Sequence, residues 1–167
     1  MTAAALQVDV TCMAEGWPAE AAGLAERAAR LVWETPESGG GGPAELSLVL
    51  AGDGTVRELN RDWRGRDAPT NVLSFPADQP GLPPETPRPL GDVVLALETI
   101  RREAEQQGKP FADHLGHLVV HGVLHLLGFD HNETAEAEKM ESLETRLLAR
   151  LGIADPYAPR PGAGENG

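Results

Sequence analysis

The chain is short of cysteine, aromatics, basic residues and long apolar runs, and each shortage narrows what it can be. Cys12 is its one cysteine among 167 residues. It cannot form an internal disulfide, which fits a reducing compartment, and it reads as a small buried hydrophobe. No segment reaches the roughly 20 uninterrupted apolar residues of a membrane helix. The opening MTAAALQVDVT lacks the charged start and apolar stretch of a secretory signal. A soluble, cytoplasmic chain with no membrane partner is therefore expected. Lys and Arg number 14 against 26 Asp and Glu, a net charge of −12. That excess argues against a general nucleic-acid binder, which grips phosphates through Lys and Arg, although a local patch can differ from the whole. The acids gather at Glu133, Glu136, Glu138, Glu141 and Glu144. Arginines gather at Arg57, Arg61, Arg64 and Arg66, diluted by Asp62 and Asp67, so a solvated helix face explains them as readily as an anion site.

The length suits one domain with a real core. Alternation predicts a first strand over 7–11, then a helix opened by Trp17-Pro18 and ending near Glu34, with Leu24, Ala28 and Leu31 inward. Leu46–Leu50 reads as a strand. Thr55 is the expected cap of a short helix through Trp63, with Val56, Leu59 and Trp63 inward. Val72–Phe75 and 91–97 read as strands, 98–107 as a helix closed by Gly108, 111–127 as the histidine-bearing helix, and 133–151 as the last. In that last helix Met140, Leu143, Leu147 and Leu151 form one stripe. The sum is a single α+β domain over 1–155, with about four strands in a mixed sheet and about five helices. Segments 37–43 and 79–89 are expected to be flexible connections, and 156–167 a disordered tail.

All five histidines lie between 114 and 131. At about 100° per residue, His114, His117, His121 and His125 fall on one stripe roughly 80° wide. One histidine on an apolar face is ordinarily a satisfied core residue. Four in register, with a fifth just beyond, point instead to metal ligation. His121 and His125, at i and i+4, can converge on one ion. His117 stands roughly 12 Å from His125 along the axis, too far to join them easily, so the third ligand should come from beyond the helix. Gly128 can end the helix left-handed and bring His131 back. Three histidines leave a position open for chemistry, in a helix of zincin type. His114 and His117 are then supporting or substrate-contacting residues. Asp130 either orients a ligand histidine or serves the turn, and both readings stand.

The spacing His-x-x-x-His-x-x-Gly-x-x-His is that of the metzincin proteases, which carry a Glu base directly after the first histidine. Here that position is Gly122. Metallopeptidase chemistry thus lacks its base.

HGVLHLLGFDH (121–131) resembles the signature of the YbeY endoribonucleases, the bacterial ribosomal-RNA maturation factors. LNRDWRGRDAPTNVLSFP (59–76), GDVVLA (91–96) and MESLETRLLARLG (140–152) extend the resemblance over roughly 45–152. It implies zinc held by His121, His125 and His131, and an important arginine at Arg64. It implies a metal-dependent, single-strand-specific endoribonuclease acting in 3′-end maturation of small-subunit (16S) ribosomal RNA and in ribosome quality control. Expected partners are single-stranded or precursor ribosomal RNA and the small ribosomal subunit with its proteins. Arg64 suits a scissile phosphate, and its plain alternative is a salt bridge with Asp67. Water and the RNA 2′-hydroxyl both stand as nucleophile. Imidazole also accepts nickel, copper or iron. A non-catalytic ribosome-assembly protein with structural zinc is the other reading.

Overall fold

The computed structural model describes residues 6–38, 42–77, 83, 86–130 and 133–157. The elements run β1 (Leu6–Cys12), α1 (Ala21–Glu34), β2 (Ala44–Ala51), α2 (Asp53–Arg64), β3 (Val72–Pro76), β4 (Arg88–Ala96), α3 (Leu97–Gln107), α4 (Phe111–Leu126) and α5 (Thr134–Arg150). This is the expected α+β domain. Its mixed sheet has the order β1-β2-β4-β3, with β1, β2 and β4 parallel and β3 antiparallel to β4.

Alternation along the strands divides two cores. Leu46, Leu48, Leu50, Val93 and Leu95 face one side and join the buried residues of α1, α4 and α5. Ala51, Leu73, Val94 and Ala96 face the other and cluster with Val56 of α2. Helix α4 lies at the centre of the larger core, against α1, α3, α5 and β3. Its Leu115, Val119, Val120, Val123 and Leu124 are fully buried. At about 1.5–3 kcal/mol for each large buried apolar side chain, packing strongly stabilises this helix.

The differences from the sequence reading have physical causes. Helix α1 begins at Ala21, and the chain from Pro18 first makes a turn that closes with the Ala21 amide on the Pro18 carbonyl. Its buried stripe is Ala21, Ala25, Ala28, Ala29, Val32 and Trp33, so Leu24 and Leu31 sit on its shoulders. Thr55 caps nothing. Helix α2 starts at Asp53, whose amide donates to Glu98 Oε1 (2.8 Å), while Asp53 Oδ1 accepts from the Thr99 amide (3.0 Å) and hydroxyl (2.9 Å). The two helix starts cap each other across the fold, a partnership no local window reveals. Trp63 is exposed (73%), because the apolar side of α2 is exhausted after Val56 and Leu59. Cys12 is exposed at the end of β1. Arg88 and Pro89, expected in a loop, open β4 opposite Ala44 and Glu45. Of the segments expected to be flexible, 39–41, 79–82 and 84–85 lie outside the described residues.

Candidate metal and phosphate site

Along α4 the histidine rings form a ladder. Ring centroids are 6.3 Å apart from His114 to His117, 6.2 Å from His117 to His121, and 4.5 Å from His121 to His125. Only the last pair converges, with the two Nε2 atoms 3.1 Å apart. Two nitrogens on one tetrahedral zinc at bonds of about 2.0–2.1 Å stand roughly 3.3–3.4 Å from each other. The pair therefore fits a shared ion with little adjustment.

The helix stops as expected. The Gly128 amide bonds the His125 carbonyl (3.1 Å) and the Phe129 amide reaches back to Leu124 (3.1 Å), a Schellman closure with Gly128 at φ +102°. The turn delivers Asp130 to the wall of the cleft that also holds His121 and His125. His131, the expected third ligand, lies outside the described residues.

Behind the pair stands a residue that the sequence reading assigned to the acidic surface. Glu144 of α5 has no exposed area. His121 Nδ1 donates to its Oε2 (2.5 Å), His117 Nε2 lies 3.5 Å from its Oε1, and the Tyr157 hydroxyl donates to that same oxygen. Burial pushes the carboxyl up. The bonds from His117, His121 and Tyr157 outweigh it and hold the group at about 2. Burial and the adjoining carboxylate push the Tyr157 phenol above its ordinary range. Among the described residues, His117, His121 and Glu144 form a group whose donor atoms lie within 4.8 Å of one another and can hold a metal ion. The Glu144 oxygens are already engaged, however, and an ion among them would have to break the His121 contact. The arrangement suits a carboxylate that fixes the His121 tautomer and leaves Nε2 facing His125.

The clue to Glu144 was its phase. Met140, Leu147 and Leu148, at i−4, i+3 and i+4, are all buried, so Glu144 falls on the apolar stripe while Glu133, Glu136, Glu138 and Glu141 face water. Tyr157, inside the expected tail, is placed at the site through its bond to Glu144; the remainder, 158–167, lies outside the described residues. A second polar group lines the same cleft. Glu103 Oε1 accepts from His114 Nε2 (2.8 Å) and Asn71 Nδ2 (3.0 Å). Burial lowers the His114 pKa against the opposing pull of Glu103.

The cleft has a volume of about 1130 Å³ and brings Arg64 to the wall shared by His121 and His125. The plain alternative for Arg64 does not hold: Asp67 is taken by Arg57, at 2.7 and 3.1 Å. Arg64 instead donates to the Ser74 carbonyl on edge strand β3 (2.9 Å), and its guanidinium stands 5.7 Å from the centre of the Phe75 ring.

Gly122 explains why the peptidase base is missing. A Cβ there would lie 2.8 Å from Val93 Cγ1, 3.2 Å from Ser74 Oγ and 3.3 Å from Val72 Cγ2. Ser74 Oγ donates to the Gly122 carbonyl (2.9 Å), tying α4 to β3. A side chain there requires Val93 to shift or the helix to move off the sheet.

Residues 19–152 match the family described as Endoribonuclease YbeY. The chain belongs to that family. It is 57% identical over 125 residues to the Endoribonuclease YbeY of Rhodopseudomonas palustris strain BisA53, covering 74% of this chain and 73% of the relative. It is 51% identical over 170 residues to that of Sinorhizobium fredii, covering 96% of each. Among solved structures, the solution structure of TM1509 from Thermotoga maritima matches with a TM-score of 0.55 at 22% identity. The match covers 92% of this chain and all of that one, and it bears on the fold alone. Among the described residues, no helix is long and apolar enough to cross a membrane.

Proposed function

We propose that this protein is a metal-dependent endoribonuclease that cleaves single-stranded RNA, with precursor small-subunit ribosomal RNA as its substrate and the cytoplasm as its place of action. The observation that carries the reading is one cleft shared by a converged histidine pair and an arginine with no carboxylate partner among the described residues. In this reading zinc is held by His121 and His125, with His131 as third ligand. A bound zinc would supply Lewis-acid activation of water or of a phosphoryl oxygen. Arg64 holds the scissile phosphate through its planar fork. Its bond to Ser74 and the neighbouring Phe75 ring limit where that fork can swing. Glu144 holds His121 from behind, and Tyr157 and His117 hold Glu144. The match to proteins named Endoribonuclease YbeY supports the activity, and the resemblance of the two main motifs supports the ribosomal substrate.

The test compares wild type with His121→Ala and Arg64→Ala on single-stranded and duplex RNA, all purified identically. Wild type should cleave the single strand and leave the duplex, and both variants should lose cleavage. Equal cleavage by all three would mean that the activity belongs to a contaminant.

A further inference from the structure

Next to Arg64 stands a side chain that the metal and phosphate site leaves unused. Trp63 is 73% exposed, whereas Trp33 is 1% exposed and Trp17 is partly buried. An indole carries one of the largest apolar surfaces of any side chain, and leaving it in water forgoes the gain from burying it. Trp63 is nonetheless anchored. Its ring meets Phe75 at 66° with centroids 6.5 Å apart, an edge-on contact. Phe75 also neighbours the Arg64 guanidinium. The next residue, Ser74, takes the Arg64 bond on its carbonyl and ties its hydroxyl to α4 at Gly122. Trp63 is thus fixed against edge strand β3 on its α2 side, and β3 also supplies Ser74 and Pro76 to the wall of the histidine cleft.

Charge along residues 57–67 is arranged unevenly. Arg57 is paired with Asp67 and Arg61 with Asp62. Among the described residues, neither Arg64 nor Arg66 has a carboxylate partner. In a chain of net charge −12, an exposed indole that shares the Phe75 ring with an uncompensated guanidinium group suits a planar base joined to a phosphate. A duplex keeps its bases stacked inside, whereas a single strand offers their faces.

We propose that Trp63 is the stacking platform for an unpaired nucleobase of the RNA strand, next to the phosphate held by Arg64. This rests on the endoribonuclease reading and gives it a source of single-strand preference. Every base has a π-face, so the platform selects unpaired over paired residues more than one base over another.

The experiment uses the full-length, zinc-loaded protein and a short single-stranded oligoribonucleotide. Trp63→Ala should raise KM roughly 5- to 150-fold, the range of one lost base stack, with the loss falling on KM more than on kcat. Trp63→Phe should restore most of the affinity and Trp63→Leu should not, and the melting temperature of all three should match wild type. Wild-type tryptophan fluorescence should be quenched by the oligonucleotide, and much less in Trp63→Phe. If wild type cleaves and Trp63→Ala has the same KM, the platform is refuted and the nuclease reading survives. If Trp63→Leu performs as well as Trp63→Phe, bulk rather than stacking is at work and the proposal falls. A wild type that neither binds nor cleaves single-stranded RNA overturns both.

Discussion

Helices α4 and α5 both serve the site, yet they display it in opposite ways. Helix α4 carries four histidines on one stripe, and its function is visible in the spacing. Helix α5 carries a series of glutamates that looks like ordinary solvated surface, and one of them, Glu144, is fully buried behind His121. The difference teaches that residue type marks a site only where that type is rare. Histidine is rare enough to stand out, whereas a glutamate must be read by its phase against the apolar stripe.

Breaking α4 should have the largest effect. His125→Ala removes one of two converged nitrogens, and metal affinity should fall by more than about 100-fold, beyond the loss typical of a supporting partner. Equilibrium dialysis would measure it. Chelation of wild type should leave far-UV circular dichroism intact, because α4 is buried by its own apolar residues. Loss of helical signal on chelation would show that the metal is structural after all.

Glu144→Gln tests α5. The amide keeps the shape but loses the charge that orders His121, so metal affinity should fall about 10- to 100-fold. Unchanged affinity would reduce Glu144 to a packing residue. Next comes Gly122→Ala on α4. Crowding against the stiff Val93 side chain should cost about 1–3 kcal/mol, partly offset by alanine's better helix propensity of about 1 kcal/mol. A raised melting temperature would show that the helix and sheet can part cheaply.

The pH response of α5 sharpens the same contrast. Glu144 is held at about 2, below its ordinary 4.5, so its ionised form favours the folded state. That contribution is fully present above about pH 4.5 and is lost as pH falls toward 2. Metal-free wild type should therefore lose more stability over that window than metal-free Glu144→Gln, and parallel melting curves would contradict it. The smallest effect belongs to Glu138→Gln. Its side chain is exposed on the same helix, and neither metal affinity nor melting should move measurably.

Much of the fold was legible because apolar periodicity is local. Five helices and four strands follow from it, and so does the helix end at Gly128, where a glycine after the last apolar residue takes a left-handed turn. Local reading failed wherever a partner came from far along the chain. Thr55 looked like a cap, but Glu98 and Asp53 cap each other's helices across 45 residues. Asp67, the alternative partner offered by sequence for Arg64, belongs to Arg57. Trp63 looked like a core residue, and its exposure followed from how little apolar surface lies beneath the end of α2.

By itself the sequence determined the helix with its converging His121 and His125, because a period of 3.6 residues places i and i+4 side by side whatever surrounds them. It also marked Gly122 as the position where a peptidase base is absent. Only the tertiary structure decided why glycine stands there, since the Val93 and Ser74 contacts come from two other strands. It alone brought Arg64 around the edge of β3 to the histidine cleft and placed Glu144 behind His121. Those arrangements depend on how separate elements pack, and packing distances between elements are not written in any local stretch of sequence.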